Sequence, residues 1–187
     1  MNPRHEGDEW LMAQVAKGQR DHLEPLIRRH ANPLLTFIRR MVGDRHRSEE
    51  LFQEVFLAVW KHRGQYEYPR PFKAWLYAIA VNKCHALFRM RTVAGGSGLG
   101  DEALAPPSPE LSPVETAIAT ETAALVSAAV TRLPAQQRTV VVLRIWEGLP
   151  YAEIAAIVGR SESTVRAAMH HGLAAMRKYL EPRLGQG

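Results

Sequence analysis

Between residues 59 and 91, seven lysines and arginines stand against a single acid, Glu67. Six of them (Lys61, Arg63, Arg70, Lys73, Lys83 and Arg89) are interleaved with Tyr66, Tyr68 and Tyr77. Cations at that density hold backbone phosphate. A ring stacked on an unpaired base recovers about 1–3 kcal/mol, comparable to the stacking lost when one step opens. The block is suited to holding a nucleic acid, or is no more than ordinary local variation in charge. A second group surrounds the turn Gly159-Arg160-Ser161, where Ser161, Ser163, Thr164, Arg166, Ala167, His170 and His171 would face a major groove from the helix that follows. In a third, Glu50, Gln53 and Glu54 project from one helix surface beside Leu51, with Phe52 placed to pack at the joint. Such a face either meets a protein partner or is simply solvated.

Catalysis has no comparable constellation. Eight histidines are scattered along the chain without a His-Glu-x-x-His pattern, and the adjacent His170 and His171 point to different helix faces. Cys84 is the one cysteine, which excludes an internal disulfide and a Cys-rich zinc module. The glycines between Gly95 and Gly100 follow no strand and precede no Lys-Ser/Thr, so they are not a phosphate loop. No enzyme activity, cofactor or metal is expected.

The elements that would carry these groups read as all helical, because no run alternates strictly and no Asn-Gly or Asp-Gly hairpin turn appears. Leu11, Val15, Leu23, Leu26 and Ile27 suggest two stretches broken near Gly18, and the period continues through Leu34, Ile38 and Met41 to Gly43. Ser48-Glu49-Glu50 reads as the start of a new helix running to about Trp60. Gly64, Pro69 and Pro71 mark a loop. A helix from Phe72 to about Arg91 then buries Phe72, Trp75, Leu76, Ile79 and Ala80 at i, i+3, i+4, i+7 and i+8. Past the next break, an Ala-rich helix reaches Leu133 and Pro134 opens another that Gly148 ends. Residues 151–173 fit a helix-turn-helix: Ala155 is small at the crossing, Gly159 supplies the turn, and Ile154, Ile157, Val158, Val165, Met169 and Leu173 fill the core. An αα-hairpin with a glycine corner would use the same pattern without touching DNA.

The break is compositional. From residue 92 to residue 123 there is no Lys or Arg, while Asp101, Glu102, Glu110, Glu115 and Glu121 are acidic and glycines give way to Pro106, Pro107, Pro109 and Pro113. Residues 92–113 are expected to be a flexible acidic linker joining two small helical domains, 1–91 and 114–187, the second a four-helix domain with the helix-turn-helix. The 187-residue chain carries a formal net charge of +5. Resolved along its length, this is a balanced start, a basic block, an acidic tether and a weakly basic end. No run approaches the roughly 18 apolar residues of a membrane span, and residues 1–10 lack a signal-peptide core, so a cytoplasmic location is expected.

Four segments in order resemble the bacterial extracytoplasmic-function sigma factors of the sigma-70 family. Ser48-Glu-Glu-Leu-Phe-Gln-Glu-Val-Phe56 with Trp60 is similar to the family's helix that docks on the polymerase clamp. Phe72-Lys-Ala-Trp-Leu-Tyr-Ala-Ile-Ala-Val-Asn82 is similar to its promoter-melting helix. Leu133-Pro134 and Gly148-Leu149-Pro150-Tyr151-Ala-Glu-Ile-Ala155 are similar to the approach to its helix-turn-helix. The resemblance implies that Glu50, Leu51, Phe52, Gln53 and Glu54 bind core RNA polymerase, whose beta-prime clamp and beta flap would be the contacts. It implies that Lys61, Arg63, Tyr66, Arg70, Lys73, Trp75, Tyr77, Asn82, Lys83 and Arg89 hold and melt the −10 element, and that the 161–171 group reads the −35 element. Trp75 has two readings, core by spacing and edge of the bubble by family position. By the same resemblance an anti-sigma factor, membrane-anchored or not, would restrain the chain, and the acidic linker would thread polymerase channels that receive polyanions. Ala168, His171 and Leu173 stand where the family is commonly basic, and Val81 and Ala86 where it is often polar; these departures bear on promoter sequence more than on fold. The other reading is a helix-turn-helix regulator with a dimerising or sensing N-terminal domain.

Overall fold

The computed structural model describes residues 7–93 and 113–184, which form eight α-helices and no strand among the described residues. They are α1 (Asp8–Ala16), α2 (Leu23–Val42), α3 (Arg45–Lys61), α4 (Phe72–Val93), α5 (Pro113–Thr131), α6 (Ala135–Ile145), α7 (Tyr151–Val158) and α8 (Glu162–Leu184). Two short 3-10 turns, Arg20–His22 and Arg63–Gln65, interrupt the first half. The expected linker, 92–113, lies outside the described residues except at its ends, where α4 runs to Val93 and α5 begins at Pro113.

Helix starts and stops follow from local chemistry. Gly43 closes α2 at a φ of +74°, a left-handed conformation that favours glycine. The next helix does not begin at Ser48 as the sequence suggests. Asp44 caps it, its carboxylate accepting the Arg47 N–H at 2.8 Å, and Ser48 is buried one turn inside with its hydroxyl donating to the Asp44 carbonyl at 2.5 Å. Two capping-type residues four apart compete for one helix start; the earlier wins because Gly43 has just released the chain.

The first half packs α1–α4 around Leu11, Met12 and Val15 of α1, Leu26, Phe37 and Ile38 of α2, Val55 and Val59 of α3, and Phe72, Leu76 and Ala80 of α4, all fully buried. Each side chain of that size contributes about 1.5–3 kcal/mol on burial. In the second half Val140, Val141 and Leu143 of α6 meet Val165, Met169, Gly172 and Met176 of α8, at i, i+4, i+7 and i+11. Leu173, expected in this core, is instead 43% exposed. The inward line passes through Gly172, where a Cβ would stand 2.8 Å from Val141 Cγ2, and the next residue is turned about 100° away.

The halves also pack on each other, α4 against α7 and α2 against α5 and α6. Arg138 of α6 donates to the Met41 carbonyl at 2.5 Å and to Leu133 at 3.0 Å, and lies 5.0 Å over the Phe88 ring. His85 Nε2 is 2.9 Å from Thr139 Oγ1, whose own proton goes to the Ala135 carbonyl at 2.8 Å. A Cβ on Gly43 would stand 2.9 Å from Thr131 Cγ2, so the two backbones meet closely there.

Candidate nucleic-acid and polymerase interfaces

On α3, Gln53 and Glu54 are exposed and Glu50 half-buried on one face. Leu51 points into the core and Phe52 packs edge-on to Phe56 at 5.2 Å, so these two support the face rather than present it. Glu50 holds Arg47 at 2.7 Å, and Glu54 reaches Lys83 of α4 at 2.8 Å. Leu57, 67% exposed, extends the same face by one turn. It was missed because an apolar residue in an apolar-periodic helix reads as core; its i+3 and i+4 spacing from Glu54 and Gln53 was the available signal.

The basic block is divided by the structure. Lys61, Arg70, Asn82 and Arg89 are exposed. Arg63 is half-buried, stacked 4.1 Å over Trp60 and donating to its carbonyl at 2.8 Å. Lys83 is half-buried on Glu54, and Lys73 faces Glu147 of the other half at 4.0 Å. The tyrosines correct the sequence reading. Tyr66 and Tyr77 were expected to offer their rings to bases, and both are buried. Tyr66 lies edge-on to Trp75 at 5.4 Å with its hydroxyl donating to the Arg70 carbonyl; burial pushes its pKa up to about 12. Tyr77 packs edge-on to Phe37 at 5.1 Å and donates to Glu147 at 2.5 Å; burial first, and that acid second, drive its pKa far above the ordinary value. Their apolar bodies were drawn inward because each hydroxyl found an acceptor there. Trp75 is buried, as helical spacing had it. Tyr68, 62% exposed, is the tyrosine of this block left on the surface.

In the helix-turn-helix, Gly159 adopts a φ of +64° between α7 and α8. Ser161 caps α8: its Oγ accepts the Thr164 N–H at 3.2 Å and lies within 2.9 Å of the Ser163 and Thr164 hydroxyls. Ser161, Ser163, Thr164, Arg166, Ala167, His170 and His171 are all exposed; Thr164 also lines the cleft toward His85, and the rings of His170 and His171, expected on different faces, lie 5.9 Å apart. Arg166 pairs with Glu162 through Nε at 3.1 Å and lies 4.4 Å over Tyr151, whose ring also carries Arg144 at 4.9 Å. Arg160, exposed in the turn itself, adds a cation beside this face that the sequence reading passed over. Among the described residues no three His, Cys, Asp or Glu side chains gather as metal ligands. Burial raises the Cys84 thiol to about 12, which leaves it unreactive at neutral pH.

The chain, helical throughout its described elements, with a helix-turn-helix at one end and a basic helix beside an acidic face at the other, matches two family profiles. Residues 26–93 match Sigma-70 region 2, and residues 123–176 match Sigma-70, region 4. The chain is 35% identical to the ECF RNA polymerase sigma factor ShbA of Streptomyces griseus over 94% of its own length and 91% of that protein's. It is 30% identical to the RNA polymerase sigma factor CnrH of Cupriavidus metallidurans over 97% of both. It is 32% identical to the ECF RNA polymerase sigma factor SigE of Mycolicibacterium smegmatis over 84% of its own length, and it spans 61% of that longer protein. The fold is similar to CnrH solved with the cytosolic domain of CnrY (TM-score 0.71, 24% identity, 95% of this chain and 99% of that one). It is also similar to the sigma factor RpoE of Bartonella quintana solved with the anti-sigma factor NepR (TM-score 0.68, 20% identity, 84% and 96% covered). The chain belongs to the extracytoplasmic-function sigma factors of the sigma-70 family. A sigma factor is a transcription-initiation subunit, not an enzyme.

Proposed function

We propose that this chain binds core RNA polymerase in the cytoplasm and directs it to its own set of promoters, under the restraint of an anti-sigma factor. Residues 1–91 would dock and melt, 92–113 would tether, and 114–187 would read the −35 element. The observation that carries the reading is the pair of open faces on separate bodies: the outward side of α8, and the Glu50, Gln53, Glu54 and Leu57 side of α3. A helix-turn-helix regulator accounts for the first, but has no need of the basic block that stands beside the second. Lys61, Arg70, Asn82, Arg89 and Tyr68 supply cations, an amide and a ring for the −10 strand; Ser163, Thr164, Arg166, Ala167, His170 and His171 supply the major-groove contacts. Polymerase would meet α3 through its beta-prime clamp and the second half through its beta flap. No helix among the described residues is long and apolar enough to cross a membrane.

Reconstitution tests the reading. The chain mixed with core polymerase should start transcription from a subset of genomic promoter fragments that core alone ignores. Duplex binding without core, together with no transcript from any fragment, would support the regulator reading instead.

A further inference from the structure

We propose that Arg40, Lys73 and Tyr77 form a carboxylate-recognition socket on the first half of the molecule, filled in the free chain by its own Trp146-Glu147. Glu147 lies in the turn after α6, immediately before Gly148, where the backbone turns at a φ of +66°. A glutamate in a turn ordinarily points to water, yet this side chain is only 8% exposed. Its carboxylate receives the Tyr77 O–H at 2.5 Å and faces the Lys73 ammonium at 4.0 Å. The Arg40 guanidinium lies 5.0 Å over the Trp146 ring, and its charge acts on the same carboxylate. The acid is met by a phenol and a lysine ammonium, and the indole beside it by the Arg40 guanidinium face.

The arrangement joins the halves: Lys73 and Tyr77 belong to α4 and Arg40 to α2, while Trp146 and Glu147 follow α6. With the halves apart, Glu147 and the Tyr77 hydroxyl would both return to water; together they desolvate each other, which is tolerated only because the hydrogen bond and the cations compensate the carboxylate. The socket is therefore a recognition site between bodies. Its ligand is an acid next to an aromatic ring, and the carboxylate stands where Lys73 would otherwise hold a phosphate. The free chain is closed over α4, and DNA reaches Lys73 after Glu147 has left. That last consequence rests on the proposed role of α4; the socket itself does not.

The test is energy transfer within the full chain, between dyes on His62→Cys and Arg177→Cys, with Cys84 buried and spared. Two variants are compared with the parent, Glu147→Gln and Tyr77→Phe, the second keeping the ring that packs on Phe37. Each should raise the open fraction about tenfold, and the double variant should open little further, since both remove one interaction. Helix content by circular dichroism should stay constant. Transfer identical to the parent in both variants overturns the socket. Absence of transcription by the parent with core polymerase would sink the functional reading and leave the socket in place.

Discussion

At the scale of single residues, chemistry that looks alike in sequence separates by burial. Tyr66 and Tyr68 are two positions apart in a basic loop, yet one hydroxyl is held by the Arg70 carbonyl and the other ring is open. Glu54 and Glu147 are both acids facing lysines of α4, yet only Glu54 stays half in water. We expect Glu54→Lys to weaken binding to core polymerase at least tenfold with unchanged urea unfolding, because the side chain leaves no buried partner behind. A titration of labelled chain against core reads it, and unchanged affinity would remove Glu54 from the docking face. Leu57→Asp should act in the same direction through the apolar part of that face. The location of these groups on their helices was legible in the sequence. Which of them face water was not, since that depends on what the next helix presents.

At the scale of elements, the helices follow from period and punctuation, and the errors fall where two local signals compete. Asp44 and Ser48 both cap well, and the difference is measurable: Asp44→Ala should cost about 1 kcal/mol of stability by chemical unfolding. Ser48→Ala tests a different quantity, a buried hydroxyl bonded to the Asp44 carbonyl, rather than a cap. The crossing of α6 and α8 gives a second expectation. At Gly172 an added methyl meets Val141 Cγ2 at 2.8 Å, so Gly172→Ala should lose about 1–3 kcal/mol from overpacking despite alanine's better helix propensity. A midpoint raised by the substitution would mean that the valine yields. The helix-turn-helix was readable because glycine, small residue and apolar residue each have one steric reason there. The slip at Leu173 came from assigning a leucine to the core in a helix whose closest approach is made by a glycine.

At the scale of the whole molecule, the packing of the halves was the part least visible beforehand. Helix α4 is buried on two sides, by α2 and α3 and by α6 and α7, so its apolar residues form no single stripe. Tyr77, His85 and Arg138, which join the halves, are residue types that a sequence reader assigns to DNA or to solvent. His85 makes the closure sensitive to pH. Burial, then the charge of Arg89, holds its pKa below the ordinary 6.5, and the cleft around it is lined from the other half by Gln136, Thr139 and Arg160. The closed form therefore binds the neutral ring. Arg89 stands on the same helix and acts in both forms, so only the burial couples to closure, which is strongest at neutral pH and above and weakens as pH falls toward the lower pKa of the closed form. Energy transfer between the halves should drop between pH 7.5 and pH 5.5, and His85→Gln should flatten the step. A pH-independent signal would place the ring outside the joint.

Lys83 and Glu54 lie 2.8 Å apart across α3 and α4, each side chain still a third to a half exposed. An exposed pair of this kind contributes about 0–1 kcal/mol, so its members change partners at little cost. A cation on a docking protein that takes Glu54 would release Lys83 on the helix proposed to hold the parted strand. Docking on polymerase would then add a charge to that proposed surface, giving initiation a built-in order of events. Lys83→Gln should lower affinity for single-stranded promoter DNA in the polymerase complex while leaving that of the free chain nearly unchanged. An equal loss in both would mean that the two steps are independent.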